Sequence, residues 1–448
     1  MSPELIALLM FGAMLVLMLT GQRIFAMTGV VGAIAALVIA GVDGQSLQFA
    51  LETPFNAVFK LFSWHALLTL PMFVYMGYML SESGIAEELY KAMHVWFGKL
   101  PGGLAIGTIV LMVIISCING LSVAGIAIGS AIALPEMLRR GYDKVLITGV
   151  VQGGSMLGIL LPPSVVSVLY AVIARVSVAD MWLAGIGPGL LMAGIFIAYV
   201  YIRVKLNPSL APKLNDEELN MPLSEKLRLL RAGIVPVVIF VTMLGVFLTG
   251  TASLLESSAI GATMATLACW WKGRLNGALM QRTARQTMGV TSMFMWVILG
   301  ALAFSAVFDG IGAVKAIGNI FVENLGLGPW GIIILMQVTF LILGIFMDDT
   351  AMLIIVAPLY VPLVATLDLG IENQMIWFGI LYVINSQISY LSPPFGYNLF
   401  LMRSLAPPEI TIMDIYRSIT PFMIMMTLTM VILMVFPEIA VWLPNSLK

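Results

Sequence analysis

The chain has 448 residues, of which 60% are hydrophobic and 10% are charged. Soluble domains carry about 25% charged residues, so this composition excludes a soluble protein and indicates a polytopic membrane protein. The net charge of −1 gives no electrostatic reason to expect a nucleic-acid partner. Cys117 and Cys269 both lie in apolar segments, which is typical of buried thiols and not of a disulfide framework or a metal site.

The first half contains apolar segments of the length that a membrane helix needs, about 20 residues. Glu4 stands where a signal peptide carries positive charge, so we expect the first segment to be a retained helix. Shorter amphipathic segments at 44–62 and 85–98 interrupt the series. The predicted apolar helices of this half are 5–20, 24–41, 63–80, 101–117, 121–138, 145–175 and 181–203.

A polar stretch at 206–231 separates this series from a second one. The second half again has shorter amphipathic segments, at 274–289 and 310–324. Because the order of long and short elements repeats, we infer an internal duplication: a first repeat 1–205, a linker 206–231 and a second repeat 232–448. The predicted apolar helices of the second repeat are 232–249, 253–271, 290–308, 328–347, 350–367, 373–403 and 412–436.

Each repeat has one long apolar segment that is interrupted by a proline pair, Pro162-Pro163 and Pro393-Pro394. Adjacent prolines break an α-helix, so the released carbonyl groups need other partners. Small and polar residues flank both pairs, and unwound carbonyls with hydroxyls form a suitable shell for Na⁺. A proline kink stabilised by neighbouring helices is the simpler alternative for either copy, but its recurrence favours a transport site. The flanking residues are Gly153, Gly154, Ser155, Gly158 and Ser164 in the first copy, and Asn385, Ser386, Ser389, Ser392, Gly396 and Asn398 in the second.

Two further segments are predicted to be re-entrant hairpins. The uncharged segment 100–135 is short for two crossings, so we place a hairpin tip near 116–121. The segment 328–367 has Asp348-Asp349 at its centre. A charged group at membrane depth costs about 2.5–3.5 kcal/mol or more, which makes both aspartates functional candidates. Alternatively, this tip reaches water and both aspartates are solvated. Because the side chains of adjacent residues point in different directions, we expect only one of the two aspartates to face a site.

With these hairpins, each repeat crosses the membrane an odd number of times, so the two repeats have inverted topology. The positive-inside rule then places the 206–231 linker in the cytoplasm and both termini on the outer side. Glu256 opens the predicted helix 253–271, where a carboxylate suits the helix dipole, and we expect a capping role ahead of a direct role in transport. The lysines and arginines left on the outer side are Lys60, Arg175, Lys315 and Lys448.

Four stretches around the hairpins and broken helices carry a family resemblance: ISCINGLSVAGIAIGSAIALPEMLRRGYDK, GSMLGILLPPSVVSVLYAVIARVSVADMWLAGIGPG, FLILGIFMDDTAMLIIVAPLYVPLV and SYLSPPFGYNLFLMRSLAPPEITIMDIYRSITPF. Together they resemble the large, DctM-like membrane subunit of TRAP (tripartite ATP-independent periplasmic) transporters. The resemblance covers nearly the whole chain. It implies an all-α membrane protein with an elevator-type scaffold and a mobile transport domain made of the hairpins and broken helices.

The resemblance also implies a function. The chain would be the large permease subunit of a secondary transporter that imports a small organic acid in symport with Na⁺, without other cofactors and without enzyme activity. Its partners would be a small four-helix DctQ-like membrane subunit and a periplasmic DctP-like binding protein. The location would be the cytoplasmic (inner) membrane of a bacterium or archaeon.

Family sites map onto the two hairpin tips and breaks. The first tip reads Asn119-Gly120-Leu121 where the family commonly has Ser-Gly-Ser, so this chain lacks two hydroxyls there. Near the start of the second repeat, the stretch from Gly250 to Glu256 is longer than the family's Thr-Pro-Thr-Glu-Ala and lacks its proline. The expected substrate contacts are Asn119, Ser164 and Asn398. The implied Na⁺ ligands are Ser116, Asn119, Gly120, Gly154, Ser155 and Pro163 in the first region, and Asp348, Asp349, Ser386, Ser392, Pro393 and Gly396 in the second.

Other functions fit the residues less well. A stand-alone ion-coupled carboxylate carrier of the same inverted plan is the nearest alternative, since the chain contains no small-subunit fusion. An intramembrane enzyme is disfavoured because Asp348 and Asp349 are adjacent, whereas an aspartyl dyad brings two carboxylates face to face from separate elements. Nothing resembles a repeated selectivity filter of a channel. Substrate identity and Na⁺ stoichiometry stay open at this stage.

Overall fold

The computed structural model describes residues 3–18, 20, 24–42, 47–61, 65–120, 122–212, 222–312, 326–346, 349–393 and 396–447. These residues form α-helices joined by short turns, and no strand occurs among them. The predicted all-α class is therefore confirmed. The amphipathic segment predicted at 310–324 lies almost wholly outside the described residues, as does the central part of the 206–231 linker, residues 213–221.

The helices of the first half follow the predicted segments closely. A single π-helical turn, Gly129–Ala133, joins α7 to α8 without ending the helical path. The bounds are α1 Pro3–Met18, α2 Ile24–Val42, α3 Leu47–Lys60, α4 Thr69–Glu82, α5 Ile85–Phe97, α6 Gly103–Asn119, α7 Ser122–Ile128, α8 Leu134–Arg139, α9 Lys144–Leu160, α10 Val165–Ala174 and α11 Val178–Leu206.

The second half differs from the prediction at several places, since two short helices, Leu223–Leu230 and Glu438–Ser446, were not predicted. Segments 274–289 and 290–308 form one helix of 34 residues, because no proline separates them and the Asn276 side chain caps its start by accepting from the Leu279 N–H at 2.8 Å. The bounds are α12 Leu223–Leu230, α13 Ile234–Leu248, α14 Leu254–Trp271, α15 Gly277–Gly310, α16 Pro329–Phe346, α17 Asp349–Thr366, α18 Gln374–Leu391, α19 Tyr397–Leu405, α20 Ile412–Val435 and α21 Glu438–Ser446.

The described elements repeat in one order. A helix pair (α6 with α7, and α16 with α17) precedes a broken helix (α9 with α10, and α18 with α19), and a long helix with an internal proline follows (α11 with Pro188, α20 with Pro421). By length and composition, four described stretches could each cross a membrane: Lys144–Ala174, Val178–Leu206, Gly277–Gly310 and Ile412–Val435.

The first broken helix lies at the centre of the molecule. The most apolar part of Lys144–Ala174 has a mean hydropathy of 2.1, yet 89% of its residues are buried by other helices. Gly149 and Gly153, one turn apart on α9, allow α20 to approach closely: a Cβ at Gly149 would lie 2.6 Å from the Ser418 carbonyl oxygen, and one at Gly153 would overlap the Phe422 ring. Small residues four apart are the usual means by which membrane helices pack tightly. The core of the protein is therefore built around α9.

Candidate functional site

The first helix break is held open by side chains at its two ends. Leu161 is extended after the end of α9, and the Ser164 hydroxyl caps α10 by accepting from the Ser167 N–H at 3.1 Å. The same hydroxyl donates to the carbonyl of Ile159. The carbonyl oxygen of Ser164 accepts a hydrogen bond from the Trp182 indole at 3.2 Å. The predicted interruption at Pro162-Pro163 is thus present, and nearby groups satisfy the polar backbone that it releases.

The tip of the first hairpin lies directly against this break. Gly120 has a φ of +62°, and its carbonyl oxygen accepts from the Val165 N–H at 3.5 Å. A Cβ at Gly120 would overlap the carbonyl oxygen of Pro163, so the two backbones touch in a way that glycine alone permits. Ser116 and Asn119 belong to the last turn of α6, next to this tip, and their side chains lie outside the described part of the structure.

Both arms of the first hairpin pack on the face of α9 that carries Gly154 and Ser155. A Cβ at Gly125, on α7, would lie 2.9 Å from the Ser155 Cβ, and a Cβ at Gly154 would lie 3.0 Å from Met112 on α6. The Ser155 hydroxyl donates to the Gln152 carbonyl at 2.6 Å. Gly120, Gly154, Ser155 and Pro163, all predicted for the first ion region, therefore lie along the interface between the first hairpin and the first broken helix, in separate contacts.

The second break is similar. Ser392 is extended after α18, and its hydroxyl donates to the Ile388 carbonyl at 2.8 Å. The N–H of Gly396, just before α19, donates to the Ser392 carbonyl oxygen at 2.8 Å. Ser386, buried two turns earlier, donates to the Tyr382 carbonyl at 3.1 Å. Pro393 is described, and Pro394 lies outside the described residues.

Asp349 joins the second hairpin to this break. It is the first residue of α17 and is 2% exposed, so its carboxylate is buried in the protein. The Tyr390 hydroxyl donates to Asp349 Oδ1 at 2.7 Å, and the Tyr382 hydroxyl donates to the Asp349 carbonyl. Both tyrosines are on α18, and Tyr390 is in its last turn before the break. Asp348, the other candidate at this tip, lies outside the described residues.

Three buried amides join α9 to the second half: Gln387 and Asn398 reach it from the second broken helix, and Gln152 of α9 reaches α20. Gln387 Nε2 donates to the Met156 carbonyl at 2.8 Å, Asn398 Nδ2 contacts Met156 Sδ at 3.5 Å, and Gln152 Nε2 donates to Ser418 Oγ at 3.0 Å. The three amides are fully buried, and their carbonyl oxygens have no hydrogen-bond partner among the described residues. Buried acceptors without donors are costly, which suggests that ligands or water meet them during function.

Sequence reasoning missed several of these groups. Gln152 and Gln387 were not singled out, although an amide in an uncharged apolar run is itself a signal. Tyr382 and Tyr390, eight residues apart on α18, were also missed. Asn385, noted beside the second proline pair, donates to Gln337 of α16, a partner that no local pattern indicated.

Of the predicted substrate contacts, Asn398 is one of the three buried amides. The Ser164 hydroxyl caps α10 by accepting from the Ser167 N–H, and it also donates to the Ile159 carbonyl.

Glu256 has the capping role that was expected. The Ser253 N–H donates to Glu256 Oε2 at 2.7 Å, and the Glu256 N–H donates to Ser253 Oγ at 3.3 Å. The two residues form a capping box at the start of α14. The stretch from Gly250 to Glu256 is longer than the family pattern and lacks its proline, but α14 is still well capped.

Two helix breaks, each closed by the tip of a helix pair, within an apolar all-helical chain are typical of a multi-pass membrane carrier. Comparison with protein families agrees: the model for the tripartite ATP-independent periplasmic transporter, DctM component, matches residues 5–439. The chain belongs to this family.

Relatives within the family transport different solutes. The chain is 29% identical over 424 residues to the C4-dicarboxylate TRAP transporter large permease protein DctM of Pseudomonas aeruginosa, with 94% of each chain covered. It is 27% identical over 382 residues to the ectoine/5-hydroxyectoine TRAP transporter large permease protein UehC of Ruegeria pomeroyi, covering 84% of this chain and 86% of the relative. It is 24% identical over 383 residues to the sialic acid TRAP transporter permease protein SiaT of Haemophilus influenzae, covering 85% of this chain and 60% of that protein.

Two solved transporter structures share the fold. The YdaH transporter of Alcanivorax borkumensis superposes with a TM-score of 0.62 at 14% identity, covering 94% of this chain and 98% of that one. MtrF of Neisseria gonorrhoeae superposes with a TM-score of 0.59 at 15% identity, covering 94% of both chains. At these identities the likeness concerns architecture alone.

Proposed function

We propose that this chain is the large permease subunit of a Na⁺-coupled secondary transporter that imports a small organic acid delivered by a periplasmic binding protein. Membership of the DctM family supports a transport role, and the C4-dicarboxylate relative supports an acidic substrate. The observation that carries the Na⁺ proposal is the apposition of each hairpin tip to a helix break, Gly120 against Pro163 and Asp349 against Tyr390.

The first ion region would be formed at the Gly120–Pro163 contact. Backbone carbonyls of the tip and the break, with the Ser155 hydroxyl, supply neutral oxygens of the kind that a hard cation prefers. Ser116 and Asn119 would complete it from the last turn of α6, and Gly154 leaves room for α6 on the same face of α9.

The second ion region would use the buried carboxylate of Asp349, with Asp348 beside it in sequence. Ser386, Ser392, Pro393 and Gly396 would supply hydroxyls and backbone groups from α18 and from the break that follows it. A buried carboxylate gives a cation a favourable partner and leaves an unfavourable charge when the cation departs, so ion binding would stabilise the contact between tip and break.

The substrate would bind between the two regions, where Asn398 keeps an acceptor without a donor among the described residues, together with Asn119 and Ser164. Movement would follow an elevator scheme: the hairpins and broken helices carry the site past a scaffold that includes the early helices of each repeat. The repeats would be inverted, with the 206–231 linker in the cytoplasm, both termini on the outer side of an inner membrane, and a DctQ-like subunit and a DctP-like binding protein as partners.

The test is uptake into proteoliposomes that hold this chain and its small-subunit partner. A binding protein loaded with a candidate acid, chosen by thermal-shift screening, is added outside, with and without an inward Na⁺ gradient. We expect uptake only with both, and loss of uptake in Asp349→Asn and Ser392→Ala. Asp368→Asn is the matched control, because this carboxylate follows the other end of α17 and is exposed.

Other outcomes discriminate clearly. Uptake that is indifferent to the binding protein would establish the stand-alone carrier instead. Uptake that needs the binding protein but not Na⁺ would overturn the assignment of the two ion regions while leaving transport intact.

A further inference from the structure

A charged cavity of 610 Å³ lies between four elements far in sequence from the two breaks. Its walls come from α5, from α12 with the turn that follows it, from the start of α13 and from the end of α14. The Trp96 indole of α5 donates to the Lys226 carbonyl at 3.2 Å, which fastens the short helix α12 over the cavity. None of these residues belongs to the ion or substrate regions described above.

The cavity carries excess positive charge. Four of its lining residues are cationic (Lys91, Arg228, Arg231 and Lys272) and two are anionic (Glu88 and Glu225). Lys272 is paired with Glu88 at 2.5 Å. Lys91, Arg228 and Arg231 have no ion-pair partner within the described ranges of the chain. Three such cations around one cavity repel one another, so the site favours an anion.

The rest of the cavity lining is apolar. Leu229, Val235 and Trp271 line it beside the cations. Trp271 is 76% exposed and its neighbour Trp270 is 67% exposed. Exposed tryptophans at the end of an apolar helix are typical of the level of the lipid headgroups. An anion that fits both surfaces has a charged head and an apolar tail.

We propose that this cavity binds the headgroup of an anionic phospholipid, with the phosphate between Lys91, Arg228 and Arg231 and an acyl chain along Trp271. Basic cavities between membrane helices on the cytoplasmic side recognise such headgroups. The assignment of the leaflet rests on the orientation proposed above, in which α12 is cytoplasmic. The binding itself does not depend on Na⁺ coupling or on the substrate.

The test measures lipid retained by the purified full-length chain. The protein is exchanged into detergent with equal phosphatidylglycerol and phosphatidylcholine, washed, and its bound lipid is identified by native mass spectrometry. We expect phosphatidylglycerol to be retained by the wild type, and its affinity to fall at least about tenfold in Lys91→Gln/Arg228→Gln/Arg231→Gln, because each cation near a headgroup contributes appreciably.

The control variant is Lys99→Gln/Arg285→Gln/Arg417→Gln, which removes three exposed cations outside the cavity and changes the net charge equally. It should retain phosphatidylglycerol as the wild type does. Equal retention by all three proteins, or equal retention of phosphatidylcholine, would overturn the proposal. Both variants should unfold near the wild-type temperature without lipid, so a failure to fold is distinguishable from a loss of binding.

Two further experiments distinguish the proposed lipid from two other possible occupants of the cavity. Competition by inorganic phosphate as strong as that by phosphatidylglycerol would identify a free-phosphate site and overturn the lipid assignment. The chain also has an acidic stretch, Asp216-Glu217-Glu218, ahead of α12. If neutralising these three residues is required before any lipid binds, the stretch is the occupant and the proposal is wrong.

Discussion

At the scale of single residues, Gly120 is the most sharply constrained position. Gly120→Ala places a methyl group against the Pro163 carbonyl at a φ of +62°, so it should move the tip from the break and abolish most uptake. Gly250→Ala is the matched control, because Gly250 has a φ of +69° and no described atom lies within 4 Å of the place that its Cβ would take. Each change should cost about 1–2 kcal/mol in backbone strain. Uptake per inserted transporter and thermal unfolding measure the two effects; similar uptake by both variants would contradict the assigned contact.

Tyr390 is a positioning residue for Asp349. Tyr390→Phe removes the hydroxyl that donates to Asp349 Oδ1 at 2.7 Å and keeps the ring. A hydrogen bond to a charged group is worth about 1.5–3 kcal/mol, so the Na⁺ concentration for half-maximal uptake should shift roughly tenfold or more. Tyr397→Phe serves as control, since that ring lies 6.3 Å from Tyr390 and is 45% exposed. An unchanged Na⁺ dependence in Tyr390→Phe would contradict the proposal that Asp349 binds Na⁺.

At the scale of helices, Trp182 of α11 ties the first break to its surroundings. Its indole donates to the Ser164 carbonyl, and its ring packs edge-on against Phe73 of α4 and Phe247 of α13, with centroids 5.7 and 5.3 Å away. Trp182→Phe keeps an aromatic ring and leaves a buried carbonyl without its donor, so we expect a loss of about 1–3 kcal/mol in stability.

Trp96→Phe is the comparison for this change. The Trp96 indole makes a hydrogen bond of the same length, 3.2 Å, to Lys226, but the ring is 40% exposed and water can replace the donor. Loss of this hydrogen bond should lower the free energy of unfolding by less than about 0.5 kcal/mol. Chemical unfolding in detergent compares the two variants, and equal losses would show that the Ser164 carbonyl finds another donor.

The elements that sequence reasoning located were those with a local cause. Pro162-Pro163 ends a helix wherever it stands, and Gly120 marks a turn because it tolerates a positive φ. Glu256 caps the start of α14 through Ser253, only three positions away. By contrast, the bond from Gln387 to Met156 depends on how the two broken helices pack against each other. No spacing within either half of the chain encodes that geometry.

At the scale of the whole molecule, four ion pairs among the described residues join the first half to the second. Lys144 pairs with Asp414 at 2.9 Å, beside the first broken helix. The other three link α4 and α5 to the end of α14 and the start of α15: Glu82 with Arg282 at 3.2 Å, Glu87 with Arg274 at 3.7 Å and Glu88 with Lys272 at 2.5 Å. Their side chains are 26–60% exposed, and exposed pairs contribute about 0–1 kcal/mol each. Neutralising the three cations to glutamine should therefore lower stability by less than about 2 kcal/mol.

Salt separates this electrostatic effect from packing. At about 1 M salt the Debye length is near 3 Å, so the difference between the neutralised variant and the wild type should nearly vanish. Thermal unfolding in detergent at low and high salt measures this difference in stability. The control is again Lys99→Gln/Arg285→Gln/Arg417→Gln, which should show no such salt-dependent difference. A loss that persists at high salt would mean that the stems of these side chains, not their charges, hold the halves together.

The burial of Lys144–Ala174 has a consequence for biogenesis. In the finished protein 89% of its most apolar part is covered by other helices, so its hydropathy is not needed there to match lipid. It is needed earlier, when the nascent segment leaves the translocon and must partition into the bilayer before α20 and the rest of the second half have been synthesised. The sequence of this helix therefore meets two demands at successive times: hydrocarbon solubility during insertion, and small residues such as Gly149 and Gly153 for the partners that arrive later.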